Sequence, residues 1–319
     1  MNEIIECIPN ISEGKNLSII NSIANEINTA EGVKLLNIDS NVSANRTVIT
    51  FAGQPDKVVK AAFNLIKRAT AIIDMRNHKG VHPRIGAVDV CPLVPLKNIT
   101  IKKTVIYARQ LAKLVGEELG IPVYCYEYAA FSEKRKNLAY IRSGQYEGLK
   151  KKLALPGWKP DYGTARFNPK TGAIAIGARN IMVAYNINLN TKSLKTAGIL
   201  AAYIRRSLVD VKAIGWYIRE YNCAQVSTNI YDSDKSPLYI VFEKVMEKAE
   251  IYGVNVTGSE IIGLVPLKTL INSGKHYLNT GDTHASDKEL INSALTNLRL
   301  NDIKIFNPQE KIIEFLMNF

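Results

Sequence analysis

Residues 47–94 read TVITFAGQPDKVVKAAFNLIKRATAIIDMRNHKGVHPRIGAVDVCPLV, and their character changes twice along the way. The β-branched and aromatic run TVITF predicts a strand over 47–51. Pro55 suits the first turn of a helix, and Val58, Val59, Ala62, Phe63 and Ile66 recur as one apolar stripe, so a helix is expected over 55–72. From 74 to 92, two of the four histidines, five other charged side chains, two glycines and two prolines crowd into DMRNHKGVHPRIGAVDVCP. A core segment would not tolerate that mixture, because an unpaired buried hydroxyl or amide costs about 1 to 3 kcal/mol and a charge more. The passage reads as a working loop feeding a strand over 85–94.

Working outward, apolar periodicity places a strand over 3–8, a helix over 16–27 with Leu17, Ile20, Ile23, Ala24 and Ile27 on one face, and a strand over 33–38. The order is then β-α-β-β-α-β, the split βαβ arrangement of a ferredoxin-like sheet with helices on one face. A helix over 101–119, with Thr100 as N-cap, and a strand over 123–126 extend it. After an irregular region the same order returns as a strand over 181–187, a helix over 193–208, strands over 211–218 and 224–230, a helix over 236–251 and a strand over 254–257. The expected fold class is α+β, with two ferredoxin-like subdomains over 1–180 and 181–319, in keeping with a length prior of about 150 residues per domain.

The chain has 319 residues, 46% of them hydrophobic, which is the composition of an ordinary globule with ample core. No apolar run approaches the roughly 18 residues of a membrane span. The acidic start MNEIIE lacks the h-region of a signal peptide, so a cytoplasmic location without a membrane partner is expected. Cysteines 7, 91, 125 and 223 form no Cys-x-x-Cys pair, and Cys91 and Cys125 lie in apolar, β-prone surroundings where a thiol serves as a small buried hydrophobe.

The net charge of +12 and a pI near 9.4 favour an anionic partner: nucleic acid, a membrane surface, or a polycarboxylate or phosphorylated substrate. The alternative is background composition, since the densest basic clusters, 134–136 and 150–152, fall in stretches that read as solvated helices. Neither phosphate-binding glycine motif occurs, and strands such as TVITF and AQVSTNI lack the aromatic pattern of an RNA-binding sheet, so no nucleic-acid partner is expected.

Three passages carry candidate chemistry. His78 and His82 are four apart, but Gly80 and Pro83 argue against a helix that would aim both at one metal, and no metal is expected. A histidine near neutrality can instead shuttle a proton between an attacking and a departing amine, while Lys79 and the planar fork of Arg84 meet carboxylates. Residues 39–46, DSNVSANR, form a hairpin connection in which Asp39 orients an imidazole, neutralises an amine or is a plain turn residue, and Arg46 is a further carboxylate-binding candidate. Residues 156–172, PGWKPDYGTARFNPKTG, set Trp158, Tyr162 and Phe167 among Lys159, Arg166 and Lys170, a combination suited to a planar anion or to a loop packed by its own aromatics.

The passage His78-Lys79-Gly80-x-His82-Pro83-Arg84-x-Gly86-Ala87-x-Asp89-Val90-Cys91-Pro92 resembles the signature of the glutamate formimidoyltransferases, the folate-dependent enzymes of histidine degradation. Further similar stretches run in order along the chain: ECIPNISEG at 6–14, NRTV at 45–48, GAR at 177–179, YNINL at 185–189, AIGWY at 213–217, AQVSTN at 224–229 and GLVPL at 263–267. The resemblance implies transfer of a formimidoyl group between N-formimidoyl-L-glutamate and tetrahydrofolate as co-substrate, a substrate tunnel or cleft between the subdomains, and a homodimer. It makes His82 the catalytic residue and Gly163-Thr164-Ala165-Arg166-Phe167-Asn168-Pro169-Lys170-Thr171-Gly172 the folate-binding loop. The chain stops after the transferase region, so the cyclodeaminase domain of bifunctional members is expected to be absent and its reaction to need a separate protein. The high positive charge would favour polyglutamylated folates. Related formyl transfer from N-formylglutamate or 5-formyltetrahydrofolate, and a non-catalytic folate-binding role, remain as alternatives.

Overall fold

The computed structural model describes residues 2–278 and 285–317, which divide into two compact units, Met1–Asn180 and Ile181–Phe319. The first unit runs β1 (Ile4–Cys7), β2 (Asn10–Ile11), α1 (Leu17–Asn28), β3 (Val33–Asn41), β4 (Arg46–Gly53), α2 (Pro55–Ile72), β5 (Val88–Lys97), α3 (Ile101–Leu119), β6 (Val123–Glu127), α4 (Glu133–Lys136), α5 (Leu138–Ile141), α6 (Gln145–Leu153), a 3₁₀ turn at Pro156–Trp158 and β7 (Ile174–Ala178). The long helices begin where local chemistry satisfies their free N–H groups. Asn16 accepts from the amides of Ser18 and Ile19, Pro55 opens α2 without an N–H to lose, and Thr100 accepts from Lys103 N.

β1 and β2 lie between β4 and β5 and run antiparallel to both, with β3 on the outer side of β4. β7 joins β5 in parallel, and β6 joins β7 in parallel. One side of this seven-stranded sheet is packed by apolar residues of α1, α2 and α3, among them Ile23, Leu65 and Leu111, against Ile5, Phe51, Cys91 and Ile176. A smaller cluster of Val90, Tyr124, Tyr126 and Ala175 is covered by Ile141, Leu149 and Leu153.

The second unit runs β8 (Val183–Leu189), α7 (Leu194–Ser207), β9 (Val211–Ile218), β10 (Cys223–Ile230), α8 (Leu238–Ile251), β11 (Val256–Ile262), α9 (Leu267–Leu278), α10 (Asp287–Asn297), α11 (Pro308–Lys311) and α12 (Ile313–Met317). Its sheet order is β11-β8-β10-β9, all antiparallel. Counted from the first strand of each unit, this is the order that β5, β1 with β2, β4 and β3 follow in the first.

Several expectations need correction. The strand expected from 85 begins at Val88, because residues 85–87 are pulled aside: Gly86 bridges Gly172, and Asp89 Oδ1 accepts from Ile85 N at 2.9 Å. β3 continues to Asn41, so Asp39 lies within a strand, opposite Val48, and the turn shrinks to 42–45. Periodicity places no strand between 127 and 180, yet β7 sits there between β5 and β6. Its residues IAIGA are small and buried on both faces, as a parallel interior strand requires, and so show no alternation. Lys152 is not on a solvated face but buried. All four cysteines are buried, and burial pushes the Cys125 thiol up to about 12.

Candidate active site

The turn before β4 and the loop before β5 are stitched together by Asn45. In a left-handed conformation that asparagine tolerates, it accepts from Gly14 N at 3.0 Å through Oδ1 and donates to Lys79 O at 3.0 Å through Nδ2. Its carbonyl accepts from His78 Nε2 at 2.8 Å. Gly80 has to be glycine here, since a Cβ would collide with the Ala44 carbonyl.

His78 is fully engaged. Its Nε2 proton goes to Asn45 O, and Nδ1 accepts from Arg84 Nε at 3.1 Å, which fixes a neutral tautomer. Burial, with Arg84 and Arg46 nearby, lowers its pKa. The fork of Arg84 is closed on Glu147, with Nη1 to Oε2 at 2.8 Å and Nη2 to Oε1 at 2.6 Å. A carboxylate of the chain itself thus occupies the place where a substrate carboxylate was expected.

Beside this pair, Arg46, Asp89 and Arg142 form a cradle around His82. Arg46 Nη1 donates to Asp89 Oδ2 at 2.6 Å and to Pro83 O at 2.8 Å, and Nη2 donates to Asn10 Oδ1 at 3.0 Å. Arg142, the residue that caps α5, donates through Nη2 to the same Asp89 oxygen. Asp89 is completely buried; burial alone would raise its pKa, but Arg142 and Arg46 hold it well below the usual carboxylate range. Burial brings Arg46 down to about 10 against the pull of Asp89, so it remains a cation at neutral pH. Two guanidinium groups share one carboxylate, and the cradle keeps a net positive charge.

His82 is half-buried, and its Nδ1 lies 2.9 Å from Arg46 Nη1 and 2.8 Å from Pro83 O. These contacts suit different tautomers. With the proton on Nδ1 it donates to Pro83 O and Nε2 carries the lone pair; without it, Nδ1 accepts from Arg46. Burial and the charges of Arg46 and Arg142 hold its pKa well below the usual histidine value, so the imidazole is neutral at pH 7.

The loop over 163–172 is fastened to the same region. Met75 N donates to Lys170 O at 3.0 Å, Ala87 N to Thr171 O at 2.8 Å, and Ala173 N to Ile85 O at 3.0 Å. Gly172 adopts φ 66°, a left-handed turn that lets its backbone close against Gly86. Pro169 O accepts from Tyr146 OH at 2.5 Å, and the Phe167 ring lies 5.7 Å from that of Tyr146. Lys170 Nζ donates to Ala71 O at 2.6 Å. Gly163, Thr164, Ala165, Arg166, Asn168 and Pro169 are exposed, while Thr171 is buried with its hydroxyl unpartnered.

The structure thus brings Arg46, His78, His82 and Arg84 together and seats the 163–172 loop beside them. Lys79 is exposed and contributes its carbonyl, and Asp39 is half-buried in β3, two strands from β2. Sequence reasoning missed Asp89, Arg142, Asn10 and Glu147. A charged residue followed by VCPLV on a buried strand was the available signal for Asp89; nothing local marks Arg142. Among the described residues no group of histidine, cysteine, aspartate and glutamate is arranged to hold a metal, and no helix is long and apolar enough to cross a membrane.

A neutral histidine held in a cationic cradle, on a two-unit α+β frame, is an arrangement suited to moving a proton beside an anionic group. The family model described as the formiminotransferase domain, N-terminal subdomain, matches residues 4–179, and that of the formiminotransferase domain matches residues 184–318. The chain belongs to the formiminotransferase domain family. It is 44% identical over 285 residues to the glutamate formimidoyltransferase of Streptococcus pyogenes serotype M1, covering 88% of this chain and 95% of that protein. It is also 44% identical over 280 residues to the glutamate formimidoyltransferase of Thermoplasma acidophilum, covering 86% and 92%. With the formimidoyltransferase-cyclodeaminase of Gallus gallus it shares 43% identity over 328 residues; 99% of this chain aligns, and it spans 60% of the length of that relative.

Proposed function

We propose that the chain is a glutamate formimidoyltransferase, moving the formimidoyl group from N-formimidoyl-L-glutamate to tetrahydrofolate to give L-glutamate and 5-formimidoyltetrahydrofolate. The observation that carries the reading is His82, neutral at pH 7 between Arg46 and Pro83, in a chain similar over nearly its whole length to proteins of that name. The pterin 5-nitrogen attacks the formimidoyl carbon, forming the new C–N bond, and His82 takes the proton released from that nitrogen. As the tetrahedral intermediate collapses, the bond to the glutamate nitrogen breaks and His82 returns the proton to the departing amine. The depressed basicity of His82 suits the second step, because an imidazolium beside two guanidiniums gives up its proton readily. The net positive cradle draws a substrate carboxylate, which would partly offset Arg46 and Arg142 and raise the pKa of the histidine back towards its ordinary value, making it a stronger base.

The 163–172 loop takes the folate, with Phe167 and Tyr146 as flat surfaces and the buried Thr171 hydroxyl as an unspent polar group. The shared strand order supports reading each unit as ferredoxin-like. A cleft between units and a homodimer, which rest on the family resemblance, a cytoplasmic location, and attraction of polyglutamylated folates by the net charge of +12 complete the reading. Transfer is to be assayed with purified protein, tetrahydrofolate and each donor in turn. His82→Ala should lower kcat about 10²- to 10⁴-fold with formimidoylglutamate while folate still binds. Full turnover by the variant would remove His82 from the chemistry, faster transfer from N-formylglutamate would change the donor, and folate binding without any transfer by the unaltered protein would leave a binder.

A further inference from the structure

We propose that Lys152 is a positioning residue for the His82 site, its ammonium holding in place the turn from which Arg142 reaches Asp89. The inference rests on the transferase reading for its kinetic consequence but not for its structural one.

Lys152 lies near the end of α6 and is 7% exposed. Its Nζ donates to Ile141 O at 2.6 Å and Ser143 O at 2.7 Å, with Ser143 Oγ at 3.2 Å and Tyr140 O at 3.5 Å. It also sits 3.7 Å from the centroid of the Trp158 ring. None of these partners is an anion. A buried ammonium with no counter-ion is costly, so a group retained in that state is held by a specific arrangement of acceptors. Here the two tightest acceptors are the carbonyls on either side of Arg142. A single cation therefore draws together the backbone before and after the residue whose guanidinium meets Asp89.

The chain of contacts continues inward. Arg142 donates to Asp89, Asp89 accepts from Arg46 at 2.6 Å, and Arg46 lies 2.9 Å from His82 Nδ1. The Coulomb field of Arg142 is among the causes that hold His82 below its usual pKa. If the turn loosened, Arg142 would withdraw and the imidazole would become more basic.

Protonation of Lys152 is central to this arrangement. An ammonium offers three donors to its neighbours, whereas a neutral amine offers two and turns a lone pair towards a carbonyl. Burial lowers its pKa to about 8. The groups around it are the Tyr140 and Trp158 rings, stacked at 4.6 Å, and Tyr124, whose ring meets Trp158 edge-on at 6.2 Å. Burial raises Tyr124 to about 12, so it is uncharged at pH 8, and Arg135 lies 5.1 Å over the Tyr124 ring. Lys150 and Lys151 on the same helix are exposed. Of Lys152 and Tyr124, it is Lys152 whose charge changes around pH 8.

The test is NMR titration of the His82 imidazole in the full chain, with assays of transfer in parallel. In Lys152→Met, His82 should titrate closer to the ordinary histidine value, and kcat should fall about tenfold or more with folate affinity little altered. Lys152→Arg, which keeps a cation that cannot be discharged at these pH values, should recover most of both properties. In the unaltered protein, the His82 resonances should show a second step near pH 8 that Lys152→Arg abolishes, so the proposal stays testable if Lys152→Met does not fold. A folded Lys152→Met whose His82 titrates as in the unaltered protein would overturn it, as would the absence of any step near pH 8 in the unaltered protein. A chain that shows these NMR effects yet transfers no formimidoyl group would refute the function and leave the positioning role intact.

Discussion

The two sheets follow one strand order and hold opposite kinds of polar network. In the first unit, Arg46, Asp89 and Arg142 are charged groups paired at short range around a histidine. In the second, the network is built on an amide: Gln225 accepts from Trp216 Nε1 at 2.6 Å and donates to Asn188 Oδ1 at 2.6 Å and Glu260 Oε1 at 2.8 Å. Tyr221 OH and Asn186 Nδ2 also donate to Glu260, at 3.1 and 3.3 Å. The difference traces to what each unit adds to the common frame. Between α2 and β5 the first unit inserts residues 73–87, which carry both site histidines, whereas α8 and β11 are joined by residues 252–255 alone. Beyond β6 it adds α4 to α6 and the 163–172 loop, the source of Arg142, Glu147 and Lys152. The shared sheet supplies rigid strand ends, and the chemistry is grafted on in the insertions.

The largest break in this contrast comes from Asp89→Ala. Removing the anion between the buried Arg46 and the partly buried Arg142 leaves uncompensated charge, a loss of about 3 to 5 kcal/mol for a buried pair. Urea unfolding should show that loss, together with transfer reduced below that of His82→Ala, because the cradle and not only the proton carrier is gone. An unfolding midpoint equal to that of the unaltered protein would mean that water or rearrangement relieves the guanidiniums, and that the network is less closed than its burial implies.

How much of this was legible in the sequence depended on whether the signal was local. The helices over 55–72 and 101–119 matched to the residue because Pro55 and Thr100 are strong start signals and the apolar stripes are long. His82 was one of two candidates by spacing and was singled out by resemblance; the hydrogen bonds of His78, both spent on Asn45 and Arg84, now give a physical reason for the choice. Asp89 was hidden because its partners come from β4 and from the turn after α5, distances along the chain that no periodicity reports. Lys152 was hidden by its neighbours, since a run of three lysines reads as a solvated face and only the packing of Trp158 and the 140–143 turn shows that the third points inward. β7 was missed for a related reason: a short strand buried on both sides has no alternation to detect.

A milder way to sharpen the comparison is acid. His82, His78 and Asp89 all have pKa values depressed by the fold, so the unfolded chain binds more protons than the folded one as pH falls. The two histidines contribute stability that is complete above their ordinary value near 6.5 and is lost as pH drops through the depressed values; Asp89 adds a loss at still lower pH, below the ordinary aspartate range. Hydrogen exchange compared at pH 7 and pH 5 should therefore show protection falling first over residues 78–90, with β8 and β10 retaining theirs. Equal loss in both sheets would indicate that the histidines are relieved by water before unfolding.

The smallest expected effect concerns Arg84, a candidate carboxylate binder whose fork is closed on Glu147. Arg84 is buried, but the Glu147 side chain is 64% exposed, so much of the attraction between them is screened and the pair is worth about 1 kcal/mol or less. Glu147→Gln frees part of that fork without touching Arg46 or Asp89. If Arg84 recognises substrate, the variant should bind formimidoylglutamate more tightly, with KM falling a few-fold. If Arg84 instead orients His78 through Nε, KM should hold and the only change should be a modest loss of thermal stability. The geometry favours the second outcome, because the Arg84 Nε to His78 Nδ1 bond and the Tyr146 N to Arg84 O bond at 2.9 Å both survive the substitution. On that outcome Arg46 and Arg84 divide their work, Arg46 facing the reacting histidine and Arg84 bracing the loop that carries it.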